Sequence, residues 1–168
     1  MKRNTLIALF LLLIIGCTSW GGYVHDSERY KFQFTFPENW EIWDKSDDRR
    51  DFLTGTYKGN TNTKMDMIAT PVAPDISPNE LYPFFLDGSG DAMSLEEFSV
   101  QDKGVISASN GEGRFVKVHW KGEKSGMRGF RALFIGNRFK LEVRAEMPED
   151  IFPEQEVEFL KMIKALKL

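Results

Sequence analysis

An alternation of aromatic and polar residues over Tyr30–Phe36 restricts the fold more than any other feature of the chain. The segment reads Tyr-Lys-Phe-Gln-Phe-Thr-Phe, so an aromatic side chain occupies every second position. Because successive side chains of a β-strand point to opposite faces of the sheet, this period predicts a strand with one buried face. We expect Phe34 to be buried and Gln33 to be more exposed.

Further alternations predict that the rest of the chain is mostly sheet. After a turn at Pro37–Asn39, three extended segments follow, with a loop expected over residues 59–63. In the C-terminal half, Asn110-Gly111 and Gly136-Asn137 are tight-turn signals, and we expect an antiparallel meander with one face buried and one face in water. The strands predicted after Phe36 cover residues 40–43, 52–58, 64–72, 114–121, 127–135 and 139–146.

Two segments have the pattern of helices, which makes the chain α+β. Ser77-Pro78-Asn79-Glu80 is a capping sequence, but Pro83 would interrupt a helix soon afterwards, so we expect a short or broken one. A closing helix is predicted over about Pro153–Leu166, since glutamates crowd its first turns and lysines its last. The residues expected to pack inward are Leu81, Phe84 and Phe85 in the first helix, and Val157, Phe159, Leu160 and Ile163 in the second.

Residues 1–16 have the composition of a secretory signal peptide. Lys2 and Arg3 precede an unbroken apolar run, Leu6–Ile15, of ten residues. A membrane-spanning helix needs roughly twice that length, so an uncleaved anchor is excluded and a cleaved signal is predicted.

The segment Leu13-Ile14-Ile15-Gly16-Cys17 resembles the lipobox of bacterial lipoproteins. The resemblance implies cleavage before Cys17, diacylglycerol on its thiol and acylation of its amine. An ordinary signal with an incidental cysteine is the alternative, although a lone thiol is unusual in an exported protein. Thr18 stands where this class carries an aspartate for inner-membrane retention, which implies an outer-membrane location facing the periplasm.

Removing residues 1–16 leaves 152 residues, enough for one domain. Residues 17–22 would be a short lipid-anchored tether, and residues 23–168 the domain. The mature chain has 20 basic and 25 acidic residues, a formal charge of −5. It therefore lacks the basic footprint of nucleic-acid-binding proteins, and the lipid on Cys17 alone is expected to hold it at the membrane.

The segment Tyr30–Trp40 resembles the opening strand of PsbP-like and DcrB-like domains, where alternating aromatic residues are followed by proline and tryptophan. The strand pair through Phe130–Glu146, the segment Met147–Asp150 and the helix Glu156–Leu168 are also similar to these domains. The resemblance implies an αβα sandwich with a central antiparallel sheet. It further implies an accessory or binding role without a catalytic centre.

The sequence contains no recognisable catalytic, cofactor-binding or metal-binding set. Gly88-Ser89-Gly90 lacks the spacing of a nucleophile elbow, and no histidine or cysteine pair is spaced for zinc. The acidic run Asp44–Asp51 begins like a calcium loop, but Arg49 and Gly55 stand where glycine and glutamate are required. His119 is expected to be a structural residue that faces solvent or the closing helix.

We therefore expect a non-enzymatic envelope lipoprotein that binds or supports another envelope protein, with no cofactor. A second hypothesis is a small or hydrophobic ligand held in a cavity between sheet and helix. A third, a hydrolytic enzyme, requires a cleft in which His119 or an acid has a shifted pKa and a hydrogen-bonded partner.

Overall fold

Nine strands and two helices lie within the residues that a computed structural model describes, namely 22–73, 76–87, 95–123 and 125–168. The signal peptide, Cys17 and Gly88-Ser89-Gly90 lie outside these ranges. The elements are β1 (Tyr23–Ser27), β2 (Phe32–Phe36), β3 (Trp40–Asp44), β4 (Asp51–Tyr57), β5 (Asn60–Pro71), α1 (Pro78–Leu86), β6 (Ser99–Ser107), β7 (Glu112–Lys121), β8 (Gly126–Gly136), β9 (Phe139–Pro148) and α2 (Phe152–Ala165).

Seven strands form one antiparallel sheet, in the order β3-β4-β5-β9-β8-β7-β6. Strands β1 and β2 form a separate antiparallel hairpin. The hairpin and α2 cover one face of the large sheet, which we call the core face, while α1 packs on β7 and β8 from the opposite face. The prediction of an α+β fold with helices on both faces of an antiparallel sheet is confirmed.

Aromatic side chains fill the core face. Phe34 and Phe36 of the hairpin make an edge-to-face contact with centroids 4.8 Å apart, and Phe130 of β8 meets Phe159 of α2 at 4.7 Å. Phe34 is fully buried and Gln33 only partly so, which confirms the register predicted for this strand. Each of these four rings removes a large apolar area from water, roughly 1.5–3 kcal/mol per side chain before entropy is counted.

At the β7–β8 end of the sheet, the opposite face is apolar and α1 covers it. Val116, Val118 and Trp120 of β7 pack there with Phe85 and Leu86 of α1. The expectation of one buried and one wet face is therefore wrong at this end of the sheet. Alternation shows which side of a strand is buried, but it does not say to which face of the assembled sheet that side belongs.

Helix α1 begins at the predicted cap, where the Ser77 hydroxyl accepts a hydrogen bond from the N–H of Asn79 at 3.2 Å. Pro83 lies inside the helix without ending it. The prediction that Phe84 packs inward is wrong, because its side chain is 67% exposed. A helix of nine residues presents one face to the sheet, and Phe85 and Leu86 occupy that face.

Helix α2 lies within one residue of its predicted bounds, and the prediction of its buried face is confirmed for Phe159 and Ile163 but wrong for Val157. The residues buried against the core face are Phe152, Gln155, Phe159, Met162 and Ile163, which follow helical spacing. Val157 is two residues from both Gln155 and Phe159, which places it on the far side of the helix, 53% exposed.

Two strands and one turn were not anticipated. Strand β1 is short and carries His25 and Asp26, and β6 is an exposed edge strand, so neither has a clear alternation. Residues 60–63 of the loop expected over 59–63 are instead strand, because Tyr57 pairs with Asn60 across a turn at Lys58 and Gly59 and β5 begins at Asn60.

Candidate functional site

A polar groove lies at the end of the large sheet where the β4–β5 and β7–β8 connections turn. It consists of two adjoining depressions of about 300 and about 540 Å³, which share Asn62, Ser125 and Pro148. Lys64, Glu123 and Glu146 line the first, while Asn60, Glu149 and Asp150 line the second. We call this feature the hairpin-end groove.

The groove is lined by polar residues because it lies where strands end and the chain turns. Polar residues occupy the end of β5, where Lys64 pairs with Glu146 of β9. Beyond β9 the chain turns through Glu149 and Asp150 before α2 begins. Four carboxylates therefore border the groove, from Glu123, Glu146, Glu149 and Asp150, and they give it an acidic character.

His119 lies beside the groove on the side of α2, as expected from its position in β7. Its Nε2 atom is 3.7 Å from Oε2 of Glu149, which is longer than a hydrogen bond. Glu149 is also 3.3 Å from Nε of Arg128, whose guanidinium lies over the ring of Phe152 at 5.2 Å. A Cβ atom at Gly126 would come within 2.6 Å of the Glu149 carboxylate, so glycine permits this approach. The carboxylate is shared with an arginine and does not orient His119 as a general base.

A buried charge cluster adjoins the groove through Glu146. Arg131 of β8 is only 4% exposed, and its Nη2 atom is 3.7 Å from Oε1 of Glu146. Arg144 lies directly opposite Arg131 on β9, and its Nε donates to Glu142 at 2.7 Å. The cluster comprises two arginines and their carboxylates, with Asp66 facing Arg144 from β5.

The two arginines of this cluster have opposite pKa shifts. Burial and then the charge of Arg144 lower the pKa of Arg131. Burial also lowers the pKa of Arg144, but the hydrogen bond with Glu142 and the charge of Glu142 raise it by more. Glu146 and Asp66 add smaller effects in the same direction, so the pKa of Arg144 is raised overall. Arginine stays charged in either case, so the cluster places fixed positive charge behind the acidic groove.

A second pair, His25 and Asp51, was missed by the sequence analysis. The Nε2 atom of His25 is 3.3 Å from Oδ2 of Asp51, and the two nearly buried side chains join the β1–β2 hairpin to β4. The histidine ring also lies against Phe32, with centroids 5.6 Å apart. The two residues are 26 positions apart, and no local pattern connects them.

The acidic run between β3 and β4 uses its carboxylates to form the turn. Oδ1 of Asp44 accepts the N–H of Ser46 at 2.9 Å, and Oδ1 of Asp47 accepts those of Arg49 and Arg50 at 2.8 and 3.1 Å. Burial would raise the pKa of Asp44, but its hydrogen bonds with Ser46 and the charge of His25 leave it lowered. Across the described ranges, no three histidine, cysteine or acidic residues are placed to hold a metal ion.

The predicted lipidation site, Cys17, lies outside the described residues, so its modification stays a prediction. Within the part of the chain that the structure describes, neither helix has the length and apolarity needed to cross a membrane.

The arrangement of strands and helices is similar to that of several solved structures. Cyanobacterial PsbP (CyanoP) from Synechocystis sp. PCC 6803 superposes with a TM-score of 0.68 at 9% sequence identity, over 94% of this chain and 99% of that chain. The chain has the PsbP/Mog1-like fold. At this identity the likeness concerns the fold alone.

Two further structures share the PsbP/Mog1-like fold. LpqN, described as involved in cell envelope biogenesis of Mycobacterium tuberculosis, matches with a TM-score of 0.59 and 12% identity, over 90% of this chain and 88% of its own. The Ran-binding protein Mog1p of Saccharomyces cerevisiae matches with a TM-score of 0.54 and 10% identity, over 87% and 95%. No protein-family model and no curated protein matches the sequence.

Proposed function

We propose that this protein is a lipid-anchored, non-enzymatic protein of the bacterial cell envelope whose PsbP/Mog1-like domain binds a membrane-proximal partner. The observation that carries the proposal is the contrast between a filled interior and an open, charged groove. Because the interior is filled, a partner would bind at the surface of the domain. The functions named for two structural neighbours, Ran binding and envelope biogenesis, are consistent with such a role.

The packing between sheet and α2 gives no support to the alternative of an internal hydrophobic ligand. Phe130, Phe159, Met162 and Ile163 meet there, and each is at most 1% exposed. A pocket for an apolar ligand would have to leave part of this interface unfilled.

The groove favours a partner segment that is polar and basic. Of its four carboxylates, those of Glu146 and Glu149 already contact Arg131 and Arg128. The other two, from Glu123 and Asp150, line the groove together with Asn60 and Asn62. Opposite charge across an interface increases the association rate and selects partners, even where it adds little affinity. A basic segment of an envelope protein is therefore the expected occupant.

The groove also opens at the end of the sheet near which the described part of the chain begins. Gly22, the first described residue, lies against the backbone of Phe36 and Pro37. The neighbouring turn is tied to the β4–β5 turn, because the N–H of Lys58 donates to the carbonyl of Asn39 at 2.9 Å. A lipid on Cys17 would thus keep the groove close to the membrane.

The lipid anchor is tested by replacing Cys17. Cys17→Ser should abolish labelling by radioactive palmitate in intact cells, whereas Thr18→Asp should keep the label and move the protein to the inner membrane. Retained label in Cys17→Ser would overturn the lipoprotein assignment.

Partner binding is tested by photo-crosslinking in intact envelopes. A photoreactive residue at Asn62 or Ser125, in the groove, should give a discrete adduct. The same residue at Val157, exposed on α2, is the matched control and should not. Glu123→Lys combined with Asp150→Lys should weaken the adduct, because it reverses the charge of the rim. Equal adducts from the groove and from α2 would contradict the assignment of the groove.

A further inference from the structure

The large sheet ends in two edge strands, of which β6 is the longer. The strand order places β3 at one end and β6 at the other, and no strand among the described residues pairs with the outer side of either. Strand β3 has five residues, whereas β6 has nine. An edge strand leaves backbone N–H and C=O groups unpaired, and proteins commonly protect such an edge by keeping it short. The length of β6 therefore calls for an explanation.

The pairing with β7 decides which backbone groups of β6 point outwards. The N–H of Ala108 donates to the carbonyl of Gly111 at 2.8 Å, so these two opposed residues form a hydrogen-bonded pair. Along an antiparallel ladder, such pairs alternate with pairs that exchange no hydrogen bond. By the observed register, Lys103, Val105 and Ser107 belong to the second kind. Their N–H and C=O groups consequently point away from β7.

Residues 103–107 form a regular and open segment, which we call the β6 edge. The bulge of β6 lies before residue 102 and therefore outside this segment. Val105 is 55% exposed, and Lys103 and Ser107 are exposed as well. Lys103 lies opposite Val116, which packs with α1, so these three side chains share the opposite face of the sheet. Both the backbone and an apolar side chain are thus accessible here.

The charged residues of β6 are neutralised within the chain. The Nζ atom of Lys103 is 3.6 Å from Oδ1 of Asp87, the residue that caps the end of α1. On the core face, Oδ2 of Asp102 is 3.4 Å from Nζ of Lys117. Each charge has a partner of opposite sign, so a second strand can approach this edge without meeting an unpaired charge.

We propose that the β6 edge pairs with the β6 edge of a second copy of this chain, in an antiparallel register centred on Val105. In this register, Val105 exchanges both backbone hydrogen bonds with its counterpart, and Lys103 does so with the counterpart of Ser107. The two valine side chains contact each other across the pair, which is favourable for β-branched residues. A register centred on Lys103 would instead oppose two like charges, which is destabilising.

The symmetry of this pairing agrees with a lipid anchor on both copies. The two-fold axis is perpendicular to the sheet, so the core faces of the two copies lie on the same side. The β1–β2 hairpin, which follows the tether, covers that face in each copy. Both lipids can therefore enter one membrane. The inference takes the anchor at Cys17 from the proposed function, because confinement to a membrane raises the effective concentration of the copies and a short contact then suffices.

Oxidative crosslinking of Val105→Cys in intact envelopes tests the pairing. The Cα atoms of a hydrogen-bonded pair are about 5.5 Å apart, which is within the range of a disulfide. We expect copper phenanthroline to give a linked dimer, in which peptide mass analysis finds residue 105 joined to residue 105. In Lys103→Cys alone, the two thiols would lie about 14 Å apart along the strands and should give roughly tenfold less dimer.

A mixed pair of variants tests the register and the role of the backbone. Coexpressed Lys103→Cys and Ser107→Cys should form a mixed dimer. Adding Val105→Pro to both chains should reduce it at least fivefold, because proline lacks the N–H that the second copy would accept. That N–H points away from β7, so circular dichroism should show an unchanged fold.

Two further substitutions at Val105 control for misfolding. Val105→Glu opposes two carboxylates across the axis without changing the backbone, and it should also reduce the mixed dimer at least fivefold. Val105→Thr keeps the N–H and the branched side chain, and it should leave the dimer unchanged. The matched surface control is Val157→Cys on α2, which should give no link between two residues 157.

The outcomes separate this proposal from the anchor. A chain that carries the palmitate label but forms no link at residue 105 would overturn the pairing, as would equal links at residues 105 and 157. A disulfide from residue 105 to a different protein would also overturn it. A link between two residues 105 in an unlabelled chain would exclude the lipid and support the pairing, whereas the loss of both label and link would overturn both.

Discussion

The two faces of the large sheet differ in what covers them and in how much of each is buried. On the core face, the β1–β2 hairpin and α2 cover almost the whole width of the sheet with aromatic and aliphatic side chains. On the opposite face, α1 covers β7 and β8, and the strands beyond them carry mainly charged residues. Burial on the first face is extensive and mainly apolar, whereas on the second it is local and partly ionic.

This difference suggests that one face of the sheet stabilises the fold and the other contacts partners. Apolar burial is the dominant favourable term in folding, and it is proportional to the area removed from water. Buried ion pairs contribute little net stability, because desolvation offsets their attraction. We infer that the core face holds the fold together, while the opposite face and the groove at its end present the chemistry that partners contact.

The largest expected effect comes from removing volume at the core face. Ile163→Ala should lower the free energy of unfolding by about 2–5 kcal/mol, because it deletes fully buried atoms of α2 and leaves a cavity. Urea unfolding followed by circular dichroism measures the loss. Val157→Ala on the exposed side of the same helix is the matched control and should change it by less than about 0.5 kcal/mol. Similar losses from both would refute the docking face assigned to α2.

A smaller loss of stability is expected when the charge cluster on the opposite face is altered. Glu146→Gln should destabilise the fold by about 1–2 kcal/mol, since it removes one of the carboxylate charges that act on the buried Arg131. The carboxylate itself is partly exposed, which keeps the loss below that of a fully buried pair.

The same cluster offers a rescue experiment. Burial and Arg144 already disfavour the charge of Arg131, so Arg131→Met should recover the stability lost in Glu146→Gln. A double variant less stable than Glu146→Gln alone would mean that Arg131 stabilises the fold through its charge. The contrast between the two faces would then be weaker than proposed.

The smallest effect concerns an ion pair at the margin of the core face. Lys117 reaches Glu156 of α2 at 2.8 Å and Asp102 of β6 at 3.4 Å. The hydrogen bond with Glu156 and the charges of both acids raise the pKa of Lys117 above its usual 10.5. The stability from these ion pairs is therefore complete below the unfolded pKa and is lost as pH rises through the folded value.

Unfolding at two pH values tests this ion pair. Lys117→Gln should lower the free energy of unfolding by about 0.5–1 kcal/mol at pH 8. The difference in unfolding free energy between this variant and the wild type should become smaller in strongly alkaline solution. Lys121→Gln, whose partners Glu96 and Glu97 lie at the surface, is the matched control and should lose less. A gap that stays constant with pH would show that Lys117 stabilises through its apolar stem instead.

Much of the fold was predictable because it depends on local periodicity. The alternation over Tyr30–Phe36 and the capping sequence at Ser77 each specify their own conformation through interactions within a few residues. The turn predicted at Gly136-Asn137 also forms, one residue later, at Asn137-Arg138. The candidate site was harder to predict from the sequence. His119 was recognised as a candidate base, but its neighbours Arg128 and Glu149 come from other segments.

By itself, the sequence determined both helices and seven of the nine strands in the described residues, and it carries the lipobox-like Cys17, whose lipidation stays a prediction. Only the tertiary structure decided that β7 turns its apolar side away from the core face, and that His25 meets Asp51. The physical reason is that periodicity acts over a few residues, whereas sheet order and side-chain pairing join residues far apart in the chain. The hairpin-end groove arises from that long-range assembly.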